Sequence, residues 1–218
     1  MGTINKHIHS YFIATILSFL FLCLDIIVAF LESKVYGIGI ADFSHNQLII
    51  HWIIIILLWL LSAMTVIFYG RRCCDYNAFK TQFKPTRLAL ICGVSIPIAC
   101  IIALTVFNGK PSFIQFFSNA PDLAAFQYTY AIFEMLLAAL LLSFAQKGFD
   151  LIGVNPKIPT GGITLAFSWG LIHYFTKSSW SVALIAAALA IVFGVIHNLL
   201  GKDLRRTWPL MYLLFIWF

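Results

Sequence analysis

The stretch "IIHWIIIILLWLLSAMTVIFY" (49–69) runs for 21 residues without one Asp, Glu, Lys or Arg. A helix needs about 20 apolar residues to cross the hydrocarbon of a bilayer, so this run alone favours a membrane crossing. The pattern recurs along the chain. Spans are expected at roughly 10–31, 49–69, 88–107, 123–146, 161–176, 180–200 and 207–218, the fifth and seventh being short. Pro97 inside the third should kink it, which neighbouring helices can accommodate. Links are punctuated by Pro and Gly, as in "GKPS" (109–112) and "NPKIPTGG" (155–162).

Composition agrees. The chain is 61% hydrophobic and only 10% charged, with a mean hydropathy of +0.95, whereas a soluble domain is about half apolar and a quarter charged. The expected fold is all-α: a polytopic bundle of about seven transmembrane helices in a single membrane-embedded domain over 1–218, with membrane lipid as its surroundings. The first apolar run is too long for a signal-peptide core and no A-x-A-like site follows it, so it is expected to stay as a helix.

A net charge of +6 would suggest nucleic acid in a soluble chain, but here the basic residues fall between apolar runs, so no nucleic-acid partner is expected. Their placement encodes topology. Eleven Lys/Arg lie at the N-terminus and in the second, fourth and sixth loops (Lys6; Arg71, Arg72, Lys80, Lys84, Arg87; Lys147, Lys157; Lys202, Arg205, Arg206), against three, Lys34, Lys110 and Lys177, in the others. The N-terminus is therefore expected in the cytoplasm, in a membrane of the prokaryotic inner or plasma type. Five cysteines show no zinc-type spacing; Cys73 and Cys74 read as juxtamembrane thiols.

Few ionisable groups lie within the spans: Asp25, Glu134, His173 and His197, with Glu32 and His51 near interfaces. Such groups are costly in lipid and usually face the bundle interior. At about 1.5 Å per residue, Glu134 and His173 each lie roughly 18 Å from the cytoplasmic ends of two consecutive, antiparallel spans. Asp25 lies about 9 Å below the outer surface, close to the same level in a core of about 30 Å. Three helices can thus bring two carboxylates and an imidazole together. His197, with Asn198, lies about 20 Å or more from that level and reads as helix-end packing or a supporting pair. His51 and Trp52 read as an interfacial belt, and His7 and His9 of "KHIHS" as adventitious metal binders. Gly162, Ala166 and Gly170, and likewise Ala186, Ala190 and Gly194, recur every four residues and would let two helices approach closely.

Each group also has a structural reading. Glu134 could be a protonated acid bonded to Tyr128 or Tyr130, His173 a satisfied structural histidine, and Asp25 a packing group paired with Ser18 or Thr15. Chemically, a carboxylic acid and an imidazole held together can share a proton, which suits activation of water or proton transfer through a transporter. Glu134 and His173 are two ligands where a catalytic zinc takes three, so no metal is assigned, and no motif calls for a cofactor. G-x-S-x-G, H-E-x-x-H and Gly-rich phosphate loops are absent from the sequence.

The order of elements resembles the CPBP family of intramembrane peptidases, which includes the CAAX prenyl endopeptidase and Abi-type bacteriocin-immunity relatives. That family is marked by E-E-x-x-x-R, F-x-x-x-H and H-x-x-x-N on successive helices. In "FEMLLAALLL" (133–142), Glu134 matches the first acid, with Met135 at the second and Ala139 at the arginine. "WGLIH" (169–173) matches the second motif with Trp169 for Phe. "GKDLRRTWPLMYLLFIWF" (201–218) resembles the approach to the third, with Leu214 near its histidine; "HNLLG" (197–201) begins like that motif but comes early. The resemblance covers roughly 123–218 and implies a glutamate-activated water cleaving a peptide or membrane-protein substrate in or beside the bilayer: Glu134 as general base, His173 as its partner, and Asp25 as a substitute acid. The alternatives are a catalytically inactive binding or immunity protein and a small proton-coupled transporter using Asp25 and Glu134.

Overall fold

The computed structural model of the chain describes residues 2–108 and 120–217; the link "GKPS", with Lys110, lies outside them, as do the side chains of Lys6 and His7. All regular structure among the described residues is helical. Helices α1 (Gly2–Leu22) and α2 (Leu24–Tyr36) meet at Cys23, whose backbone stays right-handed (φ −69°, ψ −10°), so they form one crossing, Ile8–Tyr36. It ends where Gly37 takes φ +71° and its amide bonds the Ser33 carbonyl, a left-handed cap that favours glycine. Helix α3 (His45–Cys73) begins at a capping box in which the Gln47 side chain accepts from the Ser44 amide at 2.8 Å. Helix α4 (Arg87–Asn108) carries Pro97, and α5 (Pro121–Leu151) starts on a proline whose missing N–H costs nothing there.

The remaining elements are α6 (Thr160–Leu165), a π-helical turn (Ala166–Gly170), α7 (Leu171–Lys177), α8 (Trp180–Leu199) and α9 (Leu204–Trp217). Among the described residues, five helices are long and apolar enough to cross a membrane: Ile8–Tyr36, His45–Cys73, Arg87–Val106, Pro121–Leu151 and Trp180–Leu199. The two other expected spans correspond to shorter pieces. The stretch at 161–176 is a helix interrupted by the π turn, and the last is the 14-residue α9 with Pro209 inside it.

Helix α5 is the axis of the bundle and packs against α1, α3, α6 and α9. Of its apolar window 67% is buried inside the protein, against 11% for α4. Helix α4 accordingly turns Leu88, Ile91, Ile98, Ile102 and Val106 outward, a surface suited to acyl chains rather than water. The small-residue stripes bring α6 and α8 together: a Cβ on Gly162 would lie 2.7 Å from the Ala190 carbonyl oxygen, and one on Gly170 would lie 2.6 Å from the Ala187 Cα. Lipid cannot drive helices together as water does, so close backbone packing takes over that task. Buried and half-buried indoles find backbone acceptors: Trp59 Nε1 donates to the Phe21 carbonyl at 2.8 Å and the half-buried Trp208 Nε1 to that of Ile132 at 3.3 Å.

Alternation of the helices gathers the basic loops at one end, where Tyr11 of α1 donates to the Cys74 carbonyl at 3.0 Å. The α8–α9 turn is locked there. Lys202 is buried with φ +56° and pairs with Asp150 at 2.5 Å, while Gln146 donates to Asp150 at 3.0 Å and accepts from the Gly161 amide at 3.1 Å. Asp203, fully buried, accepts from Thr81 at 2.7 Å and from the Arg205 guanidinium at 2.7 Å. Burial pushes the Asp203 carboxyl up, but hydrogen bonds from Arg205 and Thr81 outweigh it and hold it at about 2.

Candidate functional site

Glu134 sits on α5 and is only 8% exposed. Its Oε1 accepts a hydrogen bond from the Trp169 indole N–H at 2.8 Å. Trp169 belongs to the π turn, a widened turn that accommodates one extra residue; the α7 residues beyond it are therefore re-aimed relative to a plain α-helix by about 100°. On the first turn of α7, His173 Nδ1 donates to the Trp169 carbonyl at 2.8 Å, and its ring lies edge-on to the indole with centroids 4.5 Å apart. Glu134 and His173 therefore do not touch. One residue holds both, the acid by its side chain and the imidazole by its backbone. With Nδ1 donating, Nε2 of the neutral ring keeps its lone pair.

These three residues share a cavity of about 440 Å³ with Asp25, Tyr130 and Lys177, within the range of small-molecule sites. The second oxygen of Glu134 has no hydrogen-bond partner among the described residues. The acid of the fourth expected span, the imidazole of the fifth and the acid of the first thus border one space. Asp25 reaches it from deeper than the sequence places it: its crossing continues to Tyr36, about 16 Å further along the axis. Ser18 and Thr15 are not its partners; each hydroxyl donates to a carbonyl of its own helix, Ala14 and Tyr11.

Asp25 instead faces a residue that sequence reading assigned elsewhere. His51 Nε2 lies 3.1 Å from Asp25 Oδ1, and its Nδ1 lies 2.6 Å from Glu32 Oε2. His51 is 2% exposed and Glu32 9%, so the assignment of His51 to an interfacial belt, and of Glu32 to an interface, is corrected. The cause is helix length: α2 runs to Tyr36 and α3 starts at His45, which carries both residues inside the bundle. A signal was present in the sequence, since residues 25 and 32 lie two turns apart and so share one face of a helix. Tyr130 of α5 lines the same cavity as Asp25 and Glu134. Among the described residues no three His, Cys, Asp or Glu side chains converge as a metal site requires.

His197 and Asn198 do not border the cavity. His197 is fully buried at the basic end, its Nδ1 3.1 Å from the Thr207 hydroxyl, which itself donates to the Asp203 carbonyl at 3.1 Å; Nδ1 is therefore the donor. Asn198 Nδ2 donates to the Lys157 carbonyl at 3.4 Å. Both tie the end of α8 to its neighbours, so their supporting place in the site is withdrawn. The positions where the CPBP pattern has its second acid, its arginine and its last histidine are Met135, Ala139 and Leu214, all fully buried among apolar side chains. In place of that histidine, α9 gives the cavity Phe215, edge-on to Trp169 at 5.7 Å.

No family model, curated protein or solved structure matches the chain.

Proposed function

We propose that this integral membrane protein hydrolyses a peptide bond in or beside the bilayer, in the manner of CPBP-type peptidases. The observation that carries this reading is the free oxygen of Glu134 on the same cavity as His173, both fixed by Trp169. Glu134 removes a proton from a water as that water attacks the scissile carbonyl. The C–O bond forms, the C–N bond breaks, and the proton held by Glu134 passes to the leaving amine. His173 Nε2 accepts a hydrogen bond from the water and orients it for attack. The substrate is a peptide or membrane-protein segment at membrane depth, and the basic loops face the cytoplasm.

The test is cleavage of a membrane-proximal peptide library by the purified protein in lipid vesicles. Glu134→Gln should abolish cleavage and His173→Ala should lower it by about 100-fold or more; cleavage that survives Glu134→Gln removes the assignment. A second reading, proton-coupled transport, is favoured by the ionisable chain Glu32–His51–Asp25 leading into the cavity. Proton-driven uptake lost in Asp25→Asn would select it.

A further inference from the structure

The Glu32–His51–Asp25 cluster has no part in the peptide hydrolysis above, yet it is one of the more expensive arrangements in the bundle. A buried polar group needs a partner, and two carboxylates beside one ring inside a membrane protein need more than packing to explain them. The hydrogen count is fixed by the geometry. A carboxylate only accepts, and a neutral imidazole donates from one nitrogen alone. Since both His51 nitrogens face carboxylate oxygens, at 2.6 and 3.1 Å, the two contacts must hold two hydrogens between them. Either the ring is an imidazolium between two anions, or it is neutral and one acid is protonated. These forms have the same composition and differ only in where a proton rests.

The cluster also has an outlet and an unmet acceptor. Asp25 borders the cavity that Glu134 borders, and Tyr130 lines it as well. Glu32 Oε1 is buried with no hydrogen-bond partner among the described residues. The groups that act on His51 are Asp25 and Glu32, both from α2. Across the cavity stand Tyr130 and Glu134 from α5, and His173 and Lys177 from α7. A proton leaving His51 through Asp25 therefore meets Glu134 as the other carboxylate lining the cavity.

We propose that Glu32, His51 and Asp25 form a proton reservoir for Glu134. The exchange is balanced: the Nε2–H bond of the His51 imidazolium breaks, the proton crosses Asp25 and the Tyr130 hydroxyl or a cavity water, and an O–H bond forms on Glu134. The products are a neutral ring, still donating from Nδ1 to Glu32, a neutral Glu134, and an Asp25 carboxylate whose contact with Nε2 has given up its hydrogen until the proton returns. The proposal rests on the peptidase reading only in treating Glu134 as the reactive acid.

Infrared pH titration of the full chain in lipid vesicles tests it, with the Glu134 carboxyl band identified by its loss in Glu134→Gln. Interacting groups give up their protons in coupled steps when they influence each other by more than about one pH unit. The wild-type band should therefore titrate in two steps and collapse to one in His51→Gln and in Glu32→Gln, while His45→Asn at the helix start leaves both steps. Imidazole added to His51→Gly should restore the second step. A single-step curve in the wild type, or two steps that persist in His51→Gln, would overturn the proposal. If His51→Gln does not fold, Glu32→Gln carries the same comparison: one step supports the proposal and two steps overturn it. Peptide cleavage is not read: a failed peptidase reading leaves the two steps intact, and a failed reservoir removes them whatever the protein cleaves.

Discussion

Trp169 and Asp203 show how single residues settle the chemistry around them. The indole N–H of Trp169 is a donor committed to a buried acid at 2.8 Å, and hydrogen bonds to charged groups contribute more than neutral ones. Trp169→Phe keeps the ring packing and removes the donor; it should lower thermal stability in detergent by ~2 kcal/mol and reduce peptide cleavage, both against wild type. Asp203 is depressed from 3.8 to about 2 in the folded chain, so its contribution is present above its ordinary range and is lost as pH falls through the folded value. Melting temperature should therefore drop between pH 3.8 and about 2 in the wild type, and Asp203→Asn should flatten that interval. Residue-scale reading of the sequence was uneven for physical reasons. Glu134 and His173 could be placed together because depth along antiparallel neighbours follows from helical rise. His51 could not, because its position depended on where α2 and α3 stop, and hydropathy blurs at helix ends.

Among the elements, the π turn and the α6–α8 contact do most to place the candidate site. The widened turn at Ala166–Gly170 presents Trp169 to Glu134 and its carbonyl to His173. Nothing in the apolar pattern of 161–176 distinguishes a five-residue turn from ordinary helix, so this feature was illegible in sequence. The small-residue stripes were legible, because glycine at four-residue spacing has few other uses inside an apolar run. Their register was less so: Gly170 meets Ala187, a neighbour of the Ala186 stripe. Gly162→Val should force α6 from α8, since its side chain would meet the Ala190 carbonyl and the Gly194 backbone. The expected loss is about 3 kcal/mol, read as a fall in melting temperature, and the site loses the support of α7 with it.

At the level of the whole molecule, alternation of the helices collects the positive loops at one end, a distribution that the basic count had already made readable. The number of crossings was less readable: α9 is 14 residues long and Thr160–Lys177 is interrupted, so two apolar runs are not uniform spans. Cys73 is exposed beside Arg71 and Arg72, whereas Thr176 is exposed at the opposite end of the bundle. A membrane-impermeant maleimide applied to intact cells should miss Cys73 and label Thr176→Cys; the reverse result would invert the orientation. The double grip of Trp169 also acts at this scale. Glu134 is anchored on α5 and Trp169 on the α6–α7 limb, so their hydrogen bond ties the limb to the axis of the bundle, while the carbonyl of the same residue fixes the His173 ring to the limb. Any sway of that limb is felt first at this one contact, and the gap between carboxylate and imidazole widens or narrows with it, as a door held by a single latch moves only as far as the latch allows.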